Sequence, residues 1–259
     1  MLLYEPPPSA GDLHFRLFGF PVRVHLFFWI GTALLGLNGN PRPEMLLLWL
    51  AVVFVSILVH ELGHAFAQRY YGGHPWITLH GLGGLASCDD CDRRPSSQII
   101  ISLAGPAAGF LLAGATMLAV RMSDRAIGVT TDIDAAMVSS GIEAARLMPL
   151  LGVTLYWEPY RAAFANALVS DLLWVNIVWG LVNLLPIYPL DGGRVSRELF
   201  TLDNPRQGII QSLRLSIAAA AAMAFVGLLL WQSVYTALMF GYLAYTSYRT
   251  LEAYQYRGW

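Results

Sequence analysis

The chain has 259 residues, of which 56% are apolar and 13% charged, and its formal net charge is -1. Soluble domains carry about 25% charged residues, so this composition excludes an ordinary soluble domain. The near-neutral balance also excludes the basic surface that a nucleic-acid partner requires.

Taken in chain order, residues 1–23 read as an N-terminal tail. Their "EPPPSAGD" lacks the basic start and apolar core of a signal peptide. Six membrane helices are then expected, at about Val24–Leu37, Met45–Arg69, Ser97–Met122, Ala167–Leu185, Gln211–Trp231 and Ser233–Tyr248. Several of these runs approach or exceed the ~20 residues that cross a bilayer. "WQS" joins the last two in a tight hairpin. The expected fold class is an all-α polytopic membrane protein with a small β-hairpin region at the membrane surface. It forms a single domain over 1–259, with its membrane core at 24–248 and a C-terminal tail at 249–259.

Between the second and third helices, Trp76–His80 alternates in β fashion, glycines 81, 83 and 84 punctuate it, and Leu85–Cys88 can return. A β-segment cannot face lipid unpaired, so this pair belongs at the membrane surface or in a protein cavity. Cys88 and Cys91 form the chain's one CxxC. Two cysteines cannot complete a four-ligand zinc site, and acidic neighbours do not favour a lowered thiol pKa. A loop pair without a functional role is the preferred reading, with a redox bridge or an adventitious metal site as alternatives, and the sequence leaves open whether the two are bridged. Residues 123–166 are the one long polar connection, in which "SSGIEAARLMPLLG" suits a short amphipathic helix. Eleven of the sixteen arginines fall on the side of the N-terminus. By the positive-inside rule both termini are cytoplasmic, the expected site being a prokaryotic plasma membrane.

The second helix carries "HELGH". His60 and His64, four residues apart, share one helix face, which suits two nitrogens about 2.0 Å from one zinc ion. Glu61 is displaced around the helix, where it can serve as general base toward a water rather than as a ligand. Ionisable residues inside a membrane are costly and mark function. A catalytic zinc needs one more protein ligand. The best candidate lies in "NLLPIYPLDGG", where Pro186 and Pro189 break a helix just before Asp191, Gly192 and Gly193. Broken helix at membrane depth is tolerated only around a cavity or protein interior. The other reading of Asp191 is a cap for the helix that follows.

"HELGHAFAQRYYG" followed far downstream by "NLLPIYPLDGG" resembles the site-two protease family of intramembrane zinc metalloproteases, also called peptidase family M50. "GFPVRVHLFF", "GLGGLAS" and "LAGPAAGF" extend the likeness over about residues 19–200. The resemblance implies one zinc ion held by His60, His64 and Asp191. Glu61 would activate water and then protonate the leaving amine. Asn183 would hydrogen-bond the substrate backbone or the oxyanion. The implied substrate is a transmembrane protein met within the lipid bilayer. It would unwind and pair as an added strand along Leu82, Gly83, Gly84 and Leu85. Asn176, seven residues before Asn183 on the expected helix face, is a weaker site candidate. Gly105 and Gly109 read as close helix packing. Members often carry a PDZ-type or CBS module. Residues 123–166 are too short for the first and 249–259 for the second, so the likeness is to a compact form. A membrane zinc-binding or transport protein without proteolytic activity is the alternative. His14, His25 and His74 read as surface or interfacial, and His80 as a neighbour of the site.

Overall fold

The computed structural model describes residues 5–37, 42–81, 83–202 and 204–256. The chain begins with two strands where a tail was expected, β1 (Leu13–Leu17) and β2 (Phe20–Val24). Both alternate in character, and they pair antiparallel with Leu17 opposite Phe20. The two-residue loop between them, Phe18–Gly19, has both φ angles positive, at 51° and 87°. That is the turn whose twist matches a β-hairpin, with glycine relieving the second position. β2 continues parallel onto β3 (Trp76–His80), which turns back antiparallel into β4 (Gly83–Ser87). The sheet order β1-β2-β3-β4 leaves β4 at an edge. The expected hairpin at 76–88 is therefore half of a four-stranded sheet.

Helix α1 (Leu26–Gly36) follows β2. His25 caps it by accepting from the Phe27 N–H at 3.2 Å and is itself buried. The surface reading of His25 is therefore corrected. α2 (Pro43–Tyr70) is 28 residues long, about 42 Å at helical rise. Pro43 opens it, Glu44 lies in its first turn and Arg69 in its last, all matched to the helix termini. Phe20, Val22, Ile77, Leu79 and Ala86 of the sheet are buried against Val53, Ile57, Leu58 and Leu62 of α2. Each of the phenylalanine, valine, isoleucine and leucine side chains contributes roughly 1.5–3 kcal/mol when fully removed from water, which fixes the sheet to one flank of α2.

α3 (Pro95–Met122) packs along α2 with Pro106 inside it. In the connection 123–166, the short amphipathic helix expected at 139–152 does not form. The connection contains β5 (Ile127–Thr130), α4 (Ile133–Ser140), β6 (Arg146–Leu150) and β7 (Val153–Trp157). Gly141, left-handed at φ 65°, ends α4. Residues 146–150 then pair with β7 rather than continuing a helix. Met148, Leu155 and Trp157 bury against Ala113 and Val120 of α3. Tertiary burial therefore overrides the local helical pattern.

α5 (Ala163–Trp174) passes into a π-helical segment, Val175–Trp179, and then α6 (Gly180–Asn183). α7 (Asp191–Thr201), α8 (Pro205–Leu229) and α9 (Val234–Tyr256) complete the described chain. α8 and α9 form the expected hairpin, and α9 continues through the expected C-terminal tail to Tyr256. Among the described residues, four helical stretches are long and apolar enough to cross a membrane: α2, α3, Ala163–Asn183 and α8. The fold is mostly helical and that of an integral membrane protein. Of the six expected spans, α1 is only 11 residues long, and α9 carries Arg249 and Glu252 in its last third.

Candidate metal centre

The helical repeat places His60 and His64 one turn apart on α2, with ring centroids 4.9 Å apart. His60 Nε2 lies 3.1 Å from Asp191 Oδ2, His64 Nε2 lies 3.3 Å from Asp191 Oδ1, and the two Nε2 atoms are 3.2 Å apart. Zinc–ligand bonds of about 2.0–2.1 Å put neighbouring corners of a tetrahedron about 3.3 Å apart. The three residues thus already hold the spacing of one metal's ligands. All three are buried, as is Glu61.

His64 Nδ1 donates to the Ile101 carbonyl of α3 at 2.6 Å. This leaves the Nε2 lone pair for the metal, the usual second-shell arrangement for a ligating histidine. Pro106 cannot donate to the carbonyl four residues before it, so the α3 ladder is already open next to Ile101. Gly105 is the close approach on that helix. A Cβ there would lie 2.7 Å from His60 Nε2 and closer still to His64 Nε2. The packing reading of Gly105 holds, and the groups it packs against are the ligand atoms themselves.

Asp191 arrives from the opposite side. It is the first residue of α7, whose N-cap is Leu190 with no side-chain capping bond. Its carboxylate is turned to the histidines instead of the helix end. Gly192 and Gly193 let this turn press on the chain just before it. A Cβ on Gly193 would meet Tyr188 N at 2.5 Å, and one on Gly192 would meet the Leu185 carbonyl at 2.5 Å. The prolines leave backbone groups in this segment without helical partners, and serines of the hairpin satisfy them. Tyr188 N donates to Ser216 Oγ at 2.8 Å, Ser247 Oγ donates to the Tyr188 carbonyl at 3.3 Å, and the two hydroxyls are 2.8 Å apart. Ile187 is fully buried against Ala220, Phe240 and Leu243. Neither serine stands out in the sequence as part of a site.

β4 closes the third side. A Cβ at Gly84 would lie 2.6 Å from Glu61 Oε1, so the strand backbone rests on the glutamate. Gln68, one helical turn beyond His64, donates to the Ala86 carbonyl at 3.1 Å. Ala86 therefore turns a backbone polar group to the open edge. Because these groups alternate in direction along an antiparallel strand, Gly84 turns its own to the same edge. Gln68 was legible as a face-mate of His64 but carries no motif of its own. Gly83 and Leu85 point to the other face, opposite His80 and Thr78 in register. Leu82 lies outside the described residues. Asn183 ends α6 and is half-buried at the entry to the broken segment. Burial pushes the His80 imidazole below its ordinary pKa.

Cys88 and Cys91 form a disulfide, the bridge that the sequence left open. It closes the loop that leaves β4, packed against Gly73 at the exit of α2. Both sulfurs are thereby committed, and the nearby Asp90 bonds to His74 at 2.6 Å.

A family model described as peptidase family M50 matches residues 48–230, which include all four buried site residues. The chain belongs to peptidase family M50. Among relatives of this M50 chain, a zinc metalloprotease of Methanocaldococcus jannaschii is 23% identical over 217 residues, covering 83% of this chain and 52% of that one. Rip3 of Mycobacterium tuberculosis is 31% identical over 229 residues, covering 83% and 49%. The chain thus spans about half the length of these two relatives. A solved site-2 protease from Methanocaldococcus jannaschii superposes with a TM-score of 0.55 at 20% identity, covering 93% of this chain and 95% of that one. That likeness is one of fold.

Proposed function

We propose that this M50 chain is an intramembrane zinc metalloprotease that hydrolyses peptide bonds in or beside transmembrane segments of other membrane proteins. The observation that carries this is the convergence of His60, His64 and Asp191 at tetrahedral spacing, with Glu61 beside them, all buried among membrane helices. The donor set of two imidazoles and one carboxylate suits zinc. When bound, zinc supplies Lewis acidity that polarises the scissile carbonyl and acidifies a water.

The protein's own groups do the rest. The Ile101 carbonyl holds the proton of His64 on Nδ1. Glu61 takes a proton from the attacking water and delivers it to the leaving amine. Asn183 donates its amide to the oxyanion or to the substrate backbone. The substrate helix unwinds and pairs along the open edge of β4 at Gly84, which lays an extended backbone next to Glu61. Gly83 and Leu85 shape that strand. The arginine bias supports cytoplasmic termini in a prokaryotic plasma membrane, with the metal in the inner half of the bilayer.

One experiment tests the reading. Zinc content and cleavage of a co-reconstituted single-span protein are measured for wild type, Glu61→Gln and Asp191→Ala. Glu61→Gln keeps zinc and loses at least about 100-fold in cleavage rate, whereas Asp191→Ala loses both. Wild-type cleavage by Glu61→Gln, or full zinc in Asp191→Ala, overturns it.

A further inference from the structure

The two histidines are not equally supported. His64 has the Ile101 carbonyl behind its Nδ1. His60 has its Nε2 in the ligand cluster, and its Nδ1 makes no hydrogen bond among the described residues. A ligating histidine ordinarily donates that second proton to an acceptor, which fixes its tautomer and orientation.

Beside His60 lies a small cavity lined by Ser56, Ile57, Gly109, Val175, Asn176 and Trp179, among others. It gives about 10 Å³ to the centre of a water molecule, at the lower limit of what one buried water needs. Three of its walls are polar: Ser56, His60 and Asn176. The π-helical segment Val175–Trp179 sets the last of these. Such a wide turn, frequent at functional sites, shifts the phase of the helix between Asn176 and Asn183. The two asparagines therefore do not share the face that a regular helix would give them.

The Asn176 amide is oriented by its bonds. Nδ2 donates to the Leu172 carbonyl at 2.8 Å and to Ser56 Oγ at 2.9 Å. A carbonyl can only accept, so the nitrogen is on that side and Oδ1 is on the other. Oδ1 has no donor among the described residues, and it faces Gly109, where a Cβ would stand 3.6 Å away. Gly105 and Gly109, one turn apart on α3, thus do two jobs. The first admits the ligand nitrogens and the second leaves space in front of Asn176.

We propose that Asn176 is a positioning residue for the metal site. One water in this cavity accepts from His60 Nδ1–H and donates to Asn176 Oδ1 and to Ser56 Oγ, doing for His60 what the Ile101 carbonyl does for His64. This rests on the metal reading above and adds to it the support of the first ligand. A bond that merely ties the π-helical segment to α2 would also use Asn176, but it would need neither the free Oδ1 nor the space at Gly109.

The test is zinc release from the full-length, detergent-solubilised protein to a chromophoric chelator, with thermal unfolding of each variant alongside. Asn176→Leu and Gly109→Ala are compared with wild type. The alanine methyl makes only ordinary contact with the Asn176 amide but takes up the space of the water. Both variants release zinc about 10–100-fold faster, and Gly109→Ala does so with an unchanged melting temperature. If Asn176→Leu does not fold, Gly109→Ala decides alone. Wild-type release from Gly109→Ala overturns the inference and leaves the metal centre standing. A wild-type protein that binds no zinc overturns the metal reading and this inference with it.

Discussion

The two halves of the metal centre are built in different ways. α2 supplies His60, Glu61 and His64 from a single turn, so their relation is set by helical geometry and survives any change elsewhere that leaves the helix intact. The segment 184–191 supplies Asp191 from 131 residues away. It has no regular ladder of its own. It is held by Ser216 and Ser247, by the burial of Ile187, and by the contact of Gly192 and Gly193 with the turn. The lesson is that a local motif can be rigid by itself, while a ligand on broken helix is only as well placed as the helices packed around it.

Four variants sharpen this contrast. The largest effect is expected from Gly105→Ala, because the new methyl falls on His64 Nε2. Zinc and cleavage are lost, and stability falls by about 1–3 kcal/mol from overpacking. On the same helix, Gly114→Ala meets nothing within 4 Å and leaves both unchanged; metal analysis and thermal melts of the two variants check this. Next comes the double substitution Ser216→Ala with Ser247→Ala. It removes the partner of the half-buried Tyr188 N–H, at a cost of about 1 kcal/mol. Zinc affinity should fall about tenfold or more through Asp191 alone, measured by chelator competition. An unchanged affinity would show that α7, not the hairpin, places Asp191. The smallest effect belongs to Gln68→Ala. Losing one hydrogen bond to the Ala86 carbonyl, worth about 1 kcal/mol, loosens β4. It raises KM for a membrane substrate about fivefold while zinc content stays at wild-type level.

The legible parts of the fold share one property. α2, α3 and α8 are long apolar runs, and Trp76–His80 with its return strand is a plain alternation beside glycines. What was not legible depends on a distant partner. β1 and β2 alternate, but the pairing of β2 to β3 spans 55 residues of chain, from Val22 to Ile77, and the two strands look like a tail when read alone. Residues 146–150 are helix-compatible in isolation, yet they bury Met148 only as a strand against β7. Cys88 and Cys91 gave no sign of being bridged, because a four-residue loop can hold them linked or apart.

The site divides along the same line. The sequence by itself determined that two imidazoles and a glutamate share a turn of membrane helix, and that a proline-broken segment ends in an aspartate. Both follow from short-range geometry and from the cost of charge in lipid. Tertiary structure alone decided that Asp191 meets both histidines, that Gly84 rests on Glu61, and that the π-helical turn brings Asn176 to Ser56 of α2. Those relations join elements that are far apart in the chain, so they exist only once packing, rather than periodicity, fixes which atoms come together.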